Sequence, residues 1–135
     1  MNVMNVALWI LQVLLAVQFL FHGWIFTFPP AEMVELMNDL VPPWFRIFIG
    51  VAELLAAVGL VLPSATRILP WLTSLAAAGL MIVTASATVL HLTRGEIGNA
   101  IYTAVLFVLV TVVAYMRWRV KPISPRNVAG SELAG

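Results

Sequence analysis

A single carboxylate, Glu53, lies in the middle of a long apolar stretch and is the residue best placed to carry out chemistry. A charged side chain at the centre of a membrane helix costs ~2.5–3.5 kcal/mol on insertion scales, so such residues are functional candidates by default. Glu53 could serve as a catalytic acid or base, or hydrogen-bond a ligand. The alternative is a structural carboxyl that bonds Gln18, a threonine, Tyr102 or an arginine such as Arg94.

The two histidines of the chain, His22 and His91, are the other candidate catalytic residues. They could relay protons or contact a substrate, or they could be partly hydrated histidines at a membrane interface. Bis-imidazole ligation of a haem needs two histidines, but nothing else around them indicates a haem site. No metal site is predicted, because a di-metal carboxylate site needs more than one acidic residue within the spans.

Further polar residues recur at helical spacing toward the same end of the predicted helices, where four polar faces could form one shared pocket around Glu53. The candidate ligand-binding residues are Gln18, Arg46, Thr84, Thr88, Asn99 and Tyr102. The threonines could instead bond carbonyls of their own helix, and Tyr102 could be an interface anchor. Arg46 lies two helical turns from Glu53, too far for an assured contact.

The elements that position these residues follow from composition. The chain has 135 residues, of which 62% are hydrophobic and only 10% charged, whereas soluble domains have about 25% charged residues. Lipid can solvate this much apolar surface, but water cannot. Composition therefore excludes a soluble enzyme, a nucleic-acid binder and a disordered chain, and it makes the lipid bilayer the first partner. With no cysteine, no disulfide or Cys-ligated cluster can form.

Uncharged runs of about 18 or more residues indicate membrane-spanning helices. Four spans are predicted, at residues 6–28, 44–62, 68–92 and 97–116, separated by proline- and glycine-containing links. The fold class is therefore an all-α polytopic membrane protein, with four transmembrane helices bundled into a single domain over residues 1–135. The first span lacks a basic leader and an A-x-A-like cleavage site, so we expect it to be retained.

The positive charges predict the orientation. Five cations lie on the side of both termini and two, Arg46 and Arg94, on the other, so the positive-inside rule places both termini in the cytoplasm. The five are Arg67, Arg117, Arg119, Lys121 and Arg126. All charged residues except Glu53 are expected in links, at span ends or in the tail. Residues 122–135 are predicted to be a disordered cytoplasmic tail.

The link between the first two spans carries Glu32, Glu35 and Asp39 at helical spacing, with apolar residues between them. This pattern predicts a short amphipathic helix on the outer surface, with an ordered loop as the alternative. Small residues on the second and third spans, Gly59 and Gly79 among them, predict close contact between those helices.

Several of these segments resemble the DoxX-like family of small four-helix membrane proteins. The resemblance spans about residues 6–118. The segments are the first span with Gly23 toward its end, Gly50-x-x-Glu53, Gly59-Leu-Val-Leu-Pro63 and Thr-Val-Leu-His91-Leu-Thr-Arg-Gly95.

The resemblance implies a bacterial plasma-membrane protein, in which Glu53 matches the family's intramembrane acidic position and His91 its histidine. It also implies a link to quinones, because the family's namesake is a small subunit associated with quinone-linked sulfur oxidation. Family members often carry a lysine after the first-span glycine. Here Trp24 follows Gly23, so a role assigned to that lysine does not transfer.

Three functions follow as hypotheses, and whether the chain is an enzyme stays open among them. It is an accessory or ligand-binding subunit of a quinone-linked redox system, with a quinone as ligand and a redox subunit as partner. Alternatively, it is a membrane-embedded acid/base enzyme (isomerase, cyclase or hydrolase) acting on a lipophilic substrate. The third hypothesis is a scaffold without catalysis, which binds partners or a second copy of itself through its small-residue faces.

Overall fold

The computed structural model describes residues 2–126. Four long helices, α1 (Val3–Thr27), α3 (Pro43–Thr66), α4 (Leu72–Thr93) and α5 (Ile97–Tyr115), are joined by a short helix and by turns. Helix α5 continues into a π-helical segment, Met116–Val120. With that segment counted to the fourth helix, all four are long and apolar enough to cross a membrane, which confirms the all-helical polytopic fold. The greater part of the predicted disordered tail lies outside the described residues.

The link after α1 contains the predicted short helix. A 3₁₀ turn at Ala31–Met33 leads into α2 (Val34–Leu40). Met37 is buried, whereas the acidic residues Glu35 and Asp39 are exposed. The apolar face of α2 therefore packs on the bundle, in contact with α3, while its acidic face points outward.

Helix α3 extends past the predicted boundary at residue 62 and contains Pro63 in its interior. Proline lacks the N–H that would bond the carbonyl of Gly59, and its ring crowds the preceding turn. In a membrane, neighbouring helices can supply replacement donors. Here the Gln12 side-chain amide of α1 donates to the Leu60 carbonyl at 2.7 Å, next to the disturbed position.

The third span begins later than predicted, at Leu72 rather than at residue 68. Residues 67–71 form a tight turn in which Arg67 and Leu69 have positive φ angles of 60° and 46°. L-residues adopt this left-handed conformation at an energetic cost. Arg67 terminates α3 in this conformation, so the chain reverses within a few residues and α4 returns beside α3.

Helix α1 packs mainly on α3, α3 on α4, and α4 on α5, with a smaller contact between α1 and α5. The shared core is apolar and includes Phe19, Leu60, Leu80 and Val110. Lipid-facing surfaces keep large exposed apolar side chains. We call the end of the bundle that holds Asn5, Arg67 and Arg117 the lower end, and the end that holds Phe26, Arg46 and Glu96 the upper end.

Near the upper end, α1 and α3 cross backbone to backbone. A Cβ atom added to Gly23 would lie 2.8 Å from the Gly50 carbonyl oxygen, and one added to Gly50 would lie 2.5 Å from Thr27 Oγ1. A crossing this close requires glycine on both helices. Farther down, a Cβ atom added to Gly59 of α3 would lie 2.8 Å from the Ala76 Cβ atom of α4, which confirms the predicted close contact at Gly59. Gly79 has no such neighbour.

Candidate functional site

Glu53 and His22 form one hydrogen-bonded pair between α3 and α1. His22 Nδ1 lies 2.6 Å from Glu53 Oε2. The Glu53 side chain is 2% exposed, whereas the His22 side chain is 42% exposed. The carboxyl is thus enclosed by protein and the imidazole lies between it and the surroundings.

The glycine crossing brings these two side chains together. A Cβ atom on Gly23 would lie 3.1 Å from the Glu53 Cβ atom, so the residue next to His22 must lack a side chain for Glu53 to fit. Phe26, one turn after His22, packs on the imidazole with ring centroids 4.4 Å apart. The ring is therefore held by the carboxyl on one side and an aromatic contact on another.

This arrangement suits the transfer of a proton. An ionised carboxylate only accepts hydrogen bonds, so it selects the tautomer in which Nδ1–H donates to Glu53. The other ring nitrogen, Nε2, has no hydrogen-bond partner among residues 2–126 and is left to accept a proton from, or once protonated donate to, a ligand. A buried carboxylate that orients an imidazole is a common arrangement in acid/base sites.

Arg46 is buried at the upper end of α3 but does not approach Glu53. Its Nη1 donates to the Phe26 carbonyl, while its Nε has no partner among the described residues. The Phe26 carbonyl lies in the last turn of α1, where the backbone lacks helical donors and a cation is favoured. Arg46 therefore caps α1. Arg46 lies in the first turn of α3, at a span end as expected, but it is buried rather than exposed.

The other predicted ligand-binding residues are divided among separate contacts. Thr84 donates to the Leu80 carbonyl of its own helix at 2.8 Å. Thr88 Oγ1 lies 2.8 Å from Thr103 Oγ1 and thereby joins α4 to α5. Asn99 and Tyr102 are exposed, and Gln18 is half-buried. The shared pocket around Glu53 therefore stays a prediction, with His22 the residue that the structure brings to Glu53.

His91 belongs to a second group, at the link between α4 and α5. Its Nδ1 lies 2.6 Å from Glu96 Oε2, and Arg94 Nε donates to the other carboxyl oxygen at 3.2 Å. These hydrogen bonds, from His91 first and Arg94 second, lower the pKa of Glu96. Arg94 thus pairs with Glu96 rather than with Glu53. His91 likewise bonds Glu96 within the link between α4 and α5 and is not part of the Glu53 pair.

At the lower end the structure buries Arg117, which the sequence places only among the cations that predict the orientation in the membrane. Arg117 is 4% exposed. Its Nε donates to Gln12 Oε1 and its Nη1 to Asn5 Oδ1, each at 2.6 Å. The guanidinium lies over the Trp9 ring at 5.7 Å. The i, i+7 spacing of Asn5 and Gln12 on α1 was the available signal, since it places two amides on one helix face.

Two cavities lie at this end of the bundle. One, of about 480 Å³, is lined by residues that include Asn5, Trp9, Arg67 and Lys121. The second, of about 210 Å³, is lined by residues that include Arg117. Within residues 2–126, no three acidic, histidine or cysteine side chains cluster in a way that could hold a metal ion.

Comparison with protein families gives a match over most of the chain. The model of the DoxX-like family matches residues 10–113, which include all of α3 and α4 and most of α1 and α5, with the Glu53–His22 pair. Searches of curated proteins and of solved structures returned no significant match.

Proposed function

The chain belongs to the DoxX-like family of membrane proteins, and on that premise we propose that it is a ligand-binding subunit of a quinone-linked redox system. The Glu53–His22 pair is proposed to hydrogen-bond the polar head group of a quinone that enters from the bilayer. The protein would lie in a bacterial plasma membrane with both termini cytoplasmic and the pair toward the outer leaflet.

The observation that carries this proposal is the unequal burial of the pair. Glu53 is enclosed and His22 is half-exposed, so a membrane-soluble ligand would meet the imidazole first. The imidazole lies against an aromatic side chain, with the Phe26 ring centroid 4.4 Å from its own. A quinone has an apolar ring and two carbonyl oxygens, so it needs one such hydrogen-bonding group beside an apolar surface.

Proton exchange gives the pair a role beyond binding. When a quinol loses two electrons it also releases two protons, and one of these can pass from a quinol hydroxyl to His22 Nε2. The Glu53 carboxylate then stabilises the imidazolium through the 2.6 Å contact at Nδ1. The electrons would go to a redox centre on a partner subunit.

The same geometry favours one alternative, a membrane-embedded acid/base enzyme acting on a lipophilic substrate. In that case His22 Nε2 would be the acid or base and Glu53 would orient it. A quinone is not needed, and turnover would require no partner. The scaffold hypothesis assigns no role to the Glu53–His22 pair.

The test is the identity of the lipid that copurifies with the full chain in mild detergent, measured by mass spectrometry for the wild type and Glu53→Gln. The substitution keeps the shape of the side chain but removes its negative charge. Glu35→Gln is the matched control, because Glu35 lies on the exposed face of α2. We expect wild type and Glu35→Gln to retain a quinone. The amount of quinone retained by Glu53→Gln should be at least about tenfold lower, the effect of one charge-assisted hydrogen bond.

The other outcomes separate the alternatives. Absence of quinone, together with turnover of a lipophilic substrate by the purified single chain, would support the acid/base enzyme. Equal quinone retention by all three proteins would refute a role for Glu53 in binding. Loss of partner assembly alone, with ligand and turnover unaffected, would leave the scaffold hypothesis.

A further inference from the structure

The lower end of the bundle carries concentrated positive charge that is not balanced by any acidic residue of the described chain. Its cations are Arg67, Arg117, Arg119, Lys121 and Arg126, whereas the acidic residues within 2–126 all belong to the upper half. Exposed cations at a membrane interface are solvated by water. Arg117 is not, because it is buried.

Arg117 has only neutral partners: the amide oxygens of Gln12 and Asn5 and, at 3.0 Å, the carbonyl oxygen of Lys121. Its Nη2 is buried without a hydrogen bond in the described chain. Buried charges are normally paired with a counter-ion. A buried guanidinium with an unused donor therefore indicates a missing anion.

The surrounding cavities provide room for such an anion. Asn5 and Lys121, which both bond Arg117 Nη1, also line the cavity of about 480 Å³, a volume within the range of small-molecule sites. Arg67 lines the same cavity. Pro122 and Ile123 line both this cavity and the one that Arg117 lines. Two cations, Arg67 and Lys121, therefore line the larger cavity, and Arg117 lines the adjacent smaller one.

The segment that contains Pro122 and Ile123 is built into the bundle. Arg67 Nε donates to the Ser124 carbonyl at 2.8 Å, and the backbone N–H of Arg126 donates to the Arg67 carbonyl at 2.9 Å. The chain after α5 is therefore held against the turn between α3 and α4, and it closes one wall of the cavity.

We propose that these two adjacent cavities, with Arg67 and Lys121 lining the larger and Arg117 the smaller, bind a phosphate group, carried by an anionic phospholipid or free in solution. Guanidinium and ammonium groups are the usual partners of phosphate, and basic pockets between membrane helices bind lipid head groups. Tryptophans are favoured at membrane interfaces, and Trp71 and Trp118 line the second cavity, where the glycerol and upper acyl region of such a lipid would lie.

The site is separate from the Glu53–His22 pair, which lies toward the other end of the bundle, so it does not depend on the proposed function. Bound there, a phosphate would place negative charge near the buried guanidinium, whose partners Asn5 and Lys121 line the larger cavity. It would also bridge residues of α1, α3 and the segment after α5. It would therefore stabilise the folded protein by mass action, and its binding can be measured as a rise in Tm.

The test measures the Tm of the full chain in neutral detergent against increasing phosphatidylglycerol, phosphatidylcholine and inorganic phosphate. Lys121→Gln removes one cavity cation without disturbing the core, since its side chain is not buried. Arg67→Gln removes a second cation together with its hydrogen bond to the Ser124 carbonyl. Arg119→Gln is the matched control, because Arg119 has the same charge and lies at the same end but lines neither cavity.

We expect phosphatidylglycerol to raise Tm, with the half-maximal concentration increased about tenfold by Lys121→Gln and by Arg67→Gln but unchanged by Arg119→Gln. The same pattern with inorganic phosphate alone would support the site and identify the free ion as its ligand. Equal stabilisation by phosphatidylcholine and phosphatidylglycerol, without a response to phosphate, would overturn the proposal. The proposal would also be overturned if Arg119→Gln increased the half-maximal concentration as much as the other two variants, because the effect would then come from general surface charge.

Discussion

At the scale of single residues, the hydrogen bond between His22 and Glu53 is an asymmetric contact. Glu53 is enclosed, so it depends on His22 for a partner, whereas the half-exposed His22 can be solvated without Glu53. Removing one member of a buried polar pair leaves the other unsatisfied, which costs more than replacing both. The two residues should therefore respond differently to substitution.

We predict that His22→Leu destabilises the protein by about 1–3 kcal/mol, the cost of leaving a buried polar group unpaired. Glu53→Leu should cost less, and the double variant should recover most of the loss caused by His22→Leu. The measurement is the free energy of unfolding in detergent for all four members of a double-mutant cycle. Additive losses would show that the two side chains are not coupled.

A second residue-scale prediction concerns Glu96, whose pKa is lowered from the ordinary 4.5 by hydrogen bonds from His91 and Arg94. A carboxyl with a lowered folded-state pKa stabilises the protein above 4.5, and the contribution is lost as the pH falls through the lowered value. The Tm of wild type should exceed that of Glu96→Gln at neutral pH, and the difference should shrink in acid. Glu35→Gln, on exposed α2 surface, should show no comparable difference. A constant gap between wild type and Glu96→Gln down to strongly acidic pH would contradict the assignment.

At the scale of helices, the crossing of α1 and α3 at Gly23 and Gly50 positions the candidate site. We predict that Gly50→Ala destabilises the protein by about 1–3 kcal/mol, because its Cβ atom would lie 2.9 Å from the Thr27 backbone nitrogen. Separating the helices should also weaken ligand retention at Glu53. Both the unfolding free energy and the copurified ligand should be measured.

Gly79→Ala provides the control for that substitution, since nothing lies within 4 Å of the added Cβ atom. It should be neutral or stabilising by up to about 1 kcal/mol, because alanine is the better helix former. If Gly50→Ala and Gly79→Ala behaved alike, the close crossing would not be important for stability.

At the scale of the whole molecule, four helices place the ends of the described chain on one side of the membrane. The absence of native cysteine allows single introduced cysteines to report the orientation without background. We predict that a membrane-impermeant maleimide labels Asp39→Cys in intact cells and labels Arg126→Cys only after permeabilisation. The opposite pattern would place the Glu53–His22 pair toward the cytoplasmic leaflet and overturn the orientation inferred from the positive charges.

The sequence by itself determined the class and number of the helices. Lipid solvates long uncharged runs, and backbone groups in lipid must be satisfied within the segment, so composition and charge spacing suffice to define four spans. It also singled out Glu53, because an isolated charge in an apolar run stands out without knowledge of its neighbours. The helix ends at Pro63 and Leu72 were less predictable, since they depend on donors and turns supplied by other segments.

Only the tertiary structure decided which polar residues meet. Helix periodicity places a residue on a face, but the rotation of that helix against its neighbours is set by packing, here by the Gly23–Gly50 crossing. That crossing pairs Glu53 with His22, while the α4–α5 link pairs His91 with Glu96. The burial of Arg117 could not be predicted for the same reason. Its position near the end of a span indicates a solvated charge, whereas amides seven residues apart on another helix bury it.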